Sequence, residues 1–172
     1  IGEAEAGFFD LVGELAELKR KGADRSELLA RLRSESPVWM PGKKAHRAID
    51  ANFSERLYDQ SFPWPSVKPV QDHGTVEIMR GCPNGCRFCH AGYFYRPQRV
   101  RNPDRIFQEV EALVERGGYR EITLSSLSSG DYPDLPSLIG ELNRLWAPRK
   151  VSFQLPSLKV ESFTLPIISE LA

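Results

Sequence analysis

Between Phe8 and Lys21 apolar side chains return at helical intervals, at Phe8, Leu11, Val12, Leu15 and Leu18, and Gly22 closes the run. That spacing predicts an amphipathic helix. A shorter helix follows from Ser26, whose hydroxyl is placed to cap it, with Leu28, Leu29 and Leu32 along one side and Pro37 beyond its end. From Pro37 to Gly74 the periodicity is lost. Pro37, Pro41, Pro63, Pro65 and Pro69 fall there, and because proline denies a donor to a sheet interior the stretch reads as a long linker over a surface. Trp39, Phe62 and Trp64 are its candidate anchors.

After Gly74 strands and helices alternate. Thr75 to Met79 reads as a strand, and a cysteine loop follows it. Asn102 then caps a helix opened by Pro103, with Ile106, Val110, Leu113 and Val114 on one face and Gly117 and Gly118 at its end. Glu121 to Leu127 is the next strand. Leu135 to Trp146 is a helix with Leu135, Leu138, Ile139, Leu142 and Leu145 turned inward, Val151 to Leu155 a third strand, and Leu165 to Leu171 the start of another helix. The order β-α-β-α-β predicts an α/β fold, a parallel sheet with helices outside it, open or closing into a barrel. In such folds the loops after the strand C-termini carry the chemistry.

Composition narrows this only slightly. With 41% hydrophobic and 27% charged residues the chain has the balance of a globular protein. Lys and Arg together number 23, as do Asp and Glu, so net charge supplies no drive toward nucleic acid or a membrane surface. No apolar run approaches the roughly 18 residues of a membrane span, and no signal pattern opens the chain, so a cytoplasmic protein is expected. The chain starts at Ile1 and stops at Ala172 inside an apolar stretch. Both ends read as cut, and a part of a longer protein is expected.

The chemistry lies in the three cysteines, Cys82, Cys86 and Cys89, which share one short loop as C-x3-C-x2-C. Three cysteines so close together do not suit a disulfide framework. Three thiolates suit an iron-sulfur cube with one iron left open, and Gly81 and Gly85 let the backbone wrap closely around it. A zinc site would need a fourth ligand, His46 or His73, because His90 adjoins Cys89. A non-catalytic iron-sulfur module for electron transfer and a zinc-stabilised interaction domain are therefore the alternatives to an enzyme.

Cys82, Cys86, Phe88 and Cys89 together match C-x3-C-x-aromatic-C, and on this motif the chain resembles the radical S-adenosylmethionine (radical SAM) superfamily from about Thr75 to Ala172. The stretch from Arg80 to Gly92, with Tyr95, Arg96 and Pro97, is similar to a subgroup in which a cobalamin-binding-like domain precedes the barrel. The resemblance implies a 4Fe-4S cluster on the three cysteines, S-adenosylmethionine at the open iron, and Phe88 near its adenine. It implies that Ser129, Gly130 and Asp131 stand where the family places a turn against the amino group of S-adenosylmethionine, while Lys159 is placed to reach its carboxylate. For Asp131 the other reading is a cap on the following helix, and for Lys159 a solvated lysine.

The implied fold is the N-terminal half of a (β/α)6 partial TIM-type barrel, three parallel strands with their helices. Residues 1–36 would be the helical tail of the preceding domain, 37–74 a linker and 75–172 the core. Cobalamin is an option for the full-length protein, but the histidine motif by which some such domains ligate cobalt is not seen, so its binding by this chain is unsupported. An enzyme is implied, with a substrate that is RNA or a small molecule and an electron donor such as flavodoxin or ferredoxin. With three strands of six, the chain alone is expected to be inactive. Arg96, Arg99 and Arg101 form either an anion-binding patch or pairs with nearby acids, and Tyr93, Phe94 and Tyr95 either line a pocket or pack over the cluster. His90 is a candidate for tuning the cluster by hydrogen bonds.

Overall fold

In the computed structural model residues 1–58, 65–162 and 165–171 are described, which leaves Phe62 and Trp64 outside them. The chain forms two compact units, Ile1–Asn52 and Phe53–Ala172. Helix α1 (Phe8–Arg20) and helix α2 (Arg25–Ser34) make up much of the first, and neither contains a fully buried residue. Arg31 joins them by pairing with Glu14 and also with Glu35. The cap of α2 is Asp24 rather than Ser26. Asp24 accepts from Glu27 N at 2.9 Å while Glu27 Oε2 accepts from Asp24 N at 2.8 Å, and Ser26 donates to Asp24 at 2.6 Å. This reciprocal box satisfies two helix-end donors at once, which Ser26, two residues on and already inside the helix, cannot do. Trp39 is 62% exposed, so it does not anchor its segment.

The second unit is built on a three-stranded parallel sheet in the order β1 (Gly74–Glu77), β4 (Glu121–Ser125), β5 (Ser152–Gln154). Gly74 aligns with Ile122 and Glu77 with Ser125, while Glu121 aligns with Ser152. Each strand is added on the same side of the last, and both intervening helices cover one face, as right-handed crossovers require. This is the winding of a barrel segment, in which successive strands are added in one direction. Val76, Ile122 and Leu124 form the covered face together with α4 (Pro103–Glu115) and α5 (Leu135–Trp146). Thr75, Glu77, Thr123, Ser125 and Gln154, on the other face, are exposed or half-buried. A polar face opposite the helices is the feature that leaves a barrel interior open to ligand.

Asn102 caps α4, its side chain accepting from Asp104 N at 3.0 Å, and Pro103 opens the helix. Ile106, Val110, Leu113 and Val114 are buried as their spacing predicts. In α5 the inward stripe ends on Trp146 instead of Leu145, which is 47% exposed. Trp146 lies four residues beyond Leu142 and so continues the stripe one turn on. Helix α6 (Leu165–Leu171) follows β5 and places Ile167 in the core.

The expected strand from Thr75 to Met79 divides. Ile78 N still donates to Ser125 O at 2.9 Å, but β2 (Met79–Arg80) then leaves the sheet to pair antiparallel with β3 (Arg99–Val100). This two-residue ladder closes the neck of the cysteine loop, and the short helix α3 (His90–Phe94) lies within that loop. The strand expected from Glu121 to Leu127 stops at Ser125, because Ser126 Oγ turns back to accept from Ser128 N at 3.1 Å. Such local side-chain bonds compete with the ladder.

Candidate active site

The site occupies the C-terminal edge of the sheet, where the loops after β1, β4 and β5 meet. In the first loop Gly81 is what lets the two legs of the neck cross. Its φ is +85°, and a Cβ there would lie 2.3 Å from the Tyr95 carbonyl oxygen and 2.8 Å from that of Pro97. Only glycine tolerates both.

The three cysteines are free thiols; Cys82 is buried, Cys89 half-buried and Cys86 exposed. Cys89 N donates to Cys86 O at 3.0 Å, forming the turn that carries the second and third thiols. Gly92, in α3, keeps side-chain bulk away from this turn, since a Cβ there would lie 3.0 Å from Asn84 O and 4.0 Å from Cys89 Sγ. Among the described residues no three His, Cys, Asp or Glu side chains are gathered as a ready ligand set. What fits a 4Fe-4S cluster is the chemistry of the donors: three unpaired soft thiols on one closed loop at a strand end.

Phe88 is 93% exposed beside Cys89. His90 is exposed and stacks on Phe94 with 5.5 Å between ring centres. Tyr93 donates to Gly85 O at 3.3 Å, and the Arg96 guanidinium lies 5.6 Å from its ring, so these residues pack on the loop itself. Arg96 also donates to Gly92 O at 2.9 Å. Arg99 and Arg101 face Phe53, each 5.7 Å from its ring. Arg101 is fully buried and pairs with Glu109, donating as well to Arg56 O at 2.6 Å and Glu77 O at 3.2 Å. It therefore takes no part in an anion-binding surface. A buried guanidinium requires such partners, because an uncompensated charge there would cost several kcal/mol, about 3 to 5.

The second loop carries Ser128 to Asp131. Asp131 does not cap α5, whose N-cap position is Asp134, with no side-chain cap bond. Its carboxylate instead accepts from Ser128 Oγ at 2.6 Å, Asn84 Nδ2 at 2.6 Å and Lys159 Nζ at 3.1 Å. Partial burial works to raise its pKa, but these three donors outweigh burial and hold the carboxyl below its usual value. Ser129 is fully buried, its hydroxyl 3.0 Å from Ser126 Oγ and 3.4 Å from Leu124 O. Its side chain supports the turn and presents nothing outward. The close approach permitted by Gly130 is to Ser162 of the third loop, whose Oγ would lie 2.2 Å from a Cβ at that position.

Lys159, in that third loop, is no solvated lysine. It donates to Asp131 Oδ1 and to Asn84 Oδ1, both at 3.1 Å, and its hydrogen bond to Asp131 raises its pKa. The residue that joins all three loops is thus Asn84, which the sequence pattern does not single out. Its one advance signal is an amide side chain between two candidate metal ligands.

A scan against family models matches residues 76–167 to the radical SAM superfamily, which is more than half of the chain. Among curated proteins the chain is 36% identical over 93 residues to a tRNA-2-methylthio-N(6)-dimethylallyladenosine synthase of Bacillus velezensis, covering 49% of this chain and 18% of that one. It is 31% identical over 111 residues to the ribosomal protein uS12 methylthiotransferase RimO of Desulfitobacterium hafniense, covering 60% and 24%. It is 28% identical over 109 residues to the threonylcarbamoyladenosine tRNA methylthiotransferase MtaB of Chlamydia pneumoniae, covering 60% and 25%. The chain therefore spans a quarter or less of the length of these relatives. With the cysteine loop at the end of the first strand of a parallel sheet and a family match running from Val76 to Ile167, the chain belongs to the radical SAM superfamily.

Proposed function

We propose that this chain is the cluster-bearing first half of the core of a radical SAM enzyme. Cys82, Cys86 and Cys89 hold a 4Fe-4S cluster, and Asp131 and Lys159 hold the methionine end of S-adenosylmethionine beside it. When bound, such a cluster supplies the single electron that splits a carbon-sulfur bond of S-adenosylmethionine and yields a 5'-deoxyadenosyl radical. The observation that carries the reading is the Asp131–Lys159 ion pair at 3.1 Å, bonded through Asn84 to the cysteine loop.

The methionine end of the cofactor carries one ammonium and one carboxylate. Asp131 and Lys159 are its charge complement, held side by side by residues of three loops. Exchanging their mutual contact for the two charges of the ligand keeps every charge paired, so binding requires no unpaired ion at the half-buried edge. Ser128 holds Asp131 in place, Gly130 lets the turn pack against Ser162, and Ser129 fastens the turn to β4. Phe88, exposed next to Cys89, offers a ring face for the adenine.

Residues 75–172 are read as the first half of the core and residues 1–36 as the tail of a preceding domain. Two of the relatives are named for tRNA and one for a ribosomal protein, and on the two tRNA names RNA is proposed as the substrate class ahead of a small molecule. The electron donor would be of the flavodoxin or ferredoxin class. Among the described residues no helix is long and apolar enough to cross a membrane. The test is Asp131→Asn in cluster-loaded protein. Losing a charged hydrogen bond of about 1.5 to 3 kcal/mol should weaken S-adenosylmethionine binding roughly ten- to a hundredfold with iron content unchanged. Unaltered affinity would remove Asp131 from the site.

A further inference from the structure

Asn84 sits between Cys82 and Cys86, half-buried, and its side chain bonds to Cys82 and to residues of both other loops of the site. Nδ2 is 2.6 Å from Asp131 Oδ2, 3.5 Å from Cys82 Sγ and 3.4 Å from Ser128 Oγ. Oδ1 accepts from Lys159 Nζ at 3.1 Å. The partners fix which end of the amide is which: a carboxylate demands the NH2 and an ammonium demands the oxygen. One amide proton goes to Asp131, leaving the other for the sulfur and the serine hydroxyl. The main chain is held too, since Asn84 O accepts from Arg96 Nη2 at 3.4 Å and lies against Gly92.

From this arrangement we infer that Asn84 is a positioning residue that couples the cluster to the S-adenosylmethionine site, holding Cys82 Sγ and the Asp131–Lys159 pair in one hydrogen-bonded unit. The inference rests on the function proposed above. Cys82 is the buried cysteine of the three, so a donor aimed at its sulfur acts where little water competes. A proton directed at a ligand sulfur favours added negative charge there, which is the reduced form of the metal centre. The same amide supplies Asp131 with one of its three donors and Lys159 with one of its two acceptors. Removing Asn84 should therefore change two properties together: how readily the cluster is reduced, and how well the charged pair is placed to receive the ligand.

The experiment compares unaltered protein with Asn84→Ala and Asn84→Leu, all reconstituted with iron and sulfide. Iron content, midpoint potential and S-adenosylmethionine affinity are measured on each. Asn84→Leu keeps the branched side-chain shape, adds no charge beside Asp131 and presents no N–H to Cys82, so it serves even if the alanine variant folds poorly. The expected result is retained iron in Asn84→Leu, a lower potential in both variants, and S-adenosylmethionine binding weakened about tenfold in both, within the usual range for residues behind metal ligands. A tenfold less favourable one-electron reduction corresponds to about 59 mV. A merely structural role would move the melting temperature and leave the potential of Asn84→Leu alone. Wild-type potential in Asn84→Leu overturns this inference by itself, whereas absence of a cluster from the unaltered protein overturns it together with the proposed function.

Discussion

The Tyr132 hydroxyl donates to the Arg101 carbonyl at 3.0 Å from a residue only 5% exposed, and burial pushes its pKa up to about 12. In the unfolded chain a tyrosine titrates near 10. The folded state therefore keeps its proton over a range where the unfolded state loses it, so the stabilisation is complete below about pH 10 and is lost as pH rises toward 12. Two units correspond to a loss on the order of 2 to 3 kcal/mol. Urea unfolding at pH 9 and pH 12 should show that loss as an excess over Tyr132→Phe; equal pH dependence in the two proteins would contradict it. At this scale the cysteines were legible and Asn84 was not. A C-x3-C-x2-C run has few uses, whereas asparagine beside glycine is an ordinary turn residue until its partners are known. Arg101 was harder still, because an arginine in a basic run gives no sign of a buried acid eight residues on.

Helix α4 could be read from its Asn102 cap, and both α4 and α5 from their 3.6-residue stripes, but β2 and β3 are two residues each and carry no period at all. Their ladder nevertheless decides where the thiols sit, since it closes the neck of the cysteine loop, and Gly81 makes the closure sterically possible. Gly81→Ala should cost about 1 to 3 kcal/mol from the strained φ alone, with the clash against Tyr95 O adding to it. Amide exchange at Arg80 and Arg99 should accelerate and bound iron should fall. Gly85→Ala is the control: the nearest atom to a Cβ there is Tyr93 Oη at 3.9 Å, so little should change. Slow exchange in Gly81→Ala would show that the neck is held by something else.

For the whole chain, the alternation of strands and helices was sufficient to give a parallel α/β fold with its chemistry at the strand C-termini. It was not sufficient to show how the loops after β1, β4 and β5 are bonded to one another. Asn84 and Lys159 are separated by 75 positions, and nothing local to either predicts their contact. That bonding turns a cysteine motif into a site with a place for a charged ligand. The most direct test is the visible charge-transfer absorption of protein reconstituted anaerobically with iron and sulfide, recorded with and without S-adenosylmethionine, for the unaltered chain and for Cys86→Ala. The account predicts a cluster spectrum that S-adenosylmethionine perturbs in the unaltered protein, and loss of that spectrum in Cys86→Ala, with lower stability because metal binding is coupled to folding. A normal cluster in Cys86→Ala, or a wild-type spectrum indifferent to S-adenosylmethionine, would contradict it.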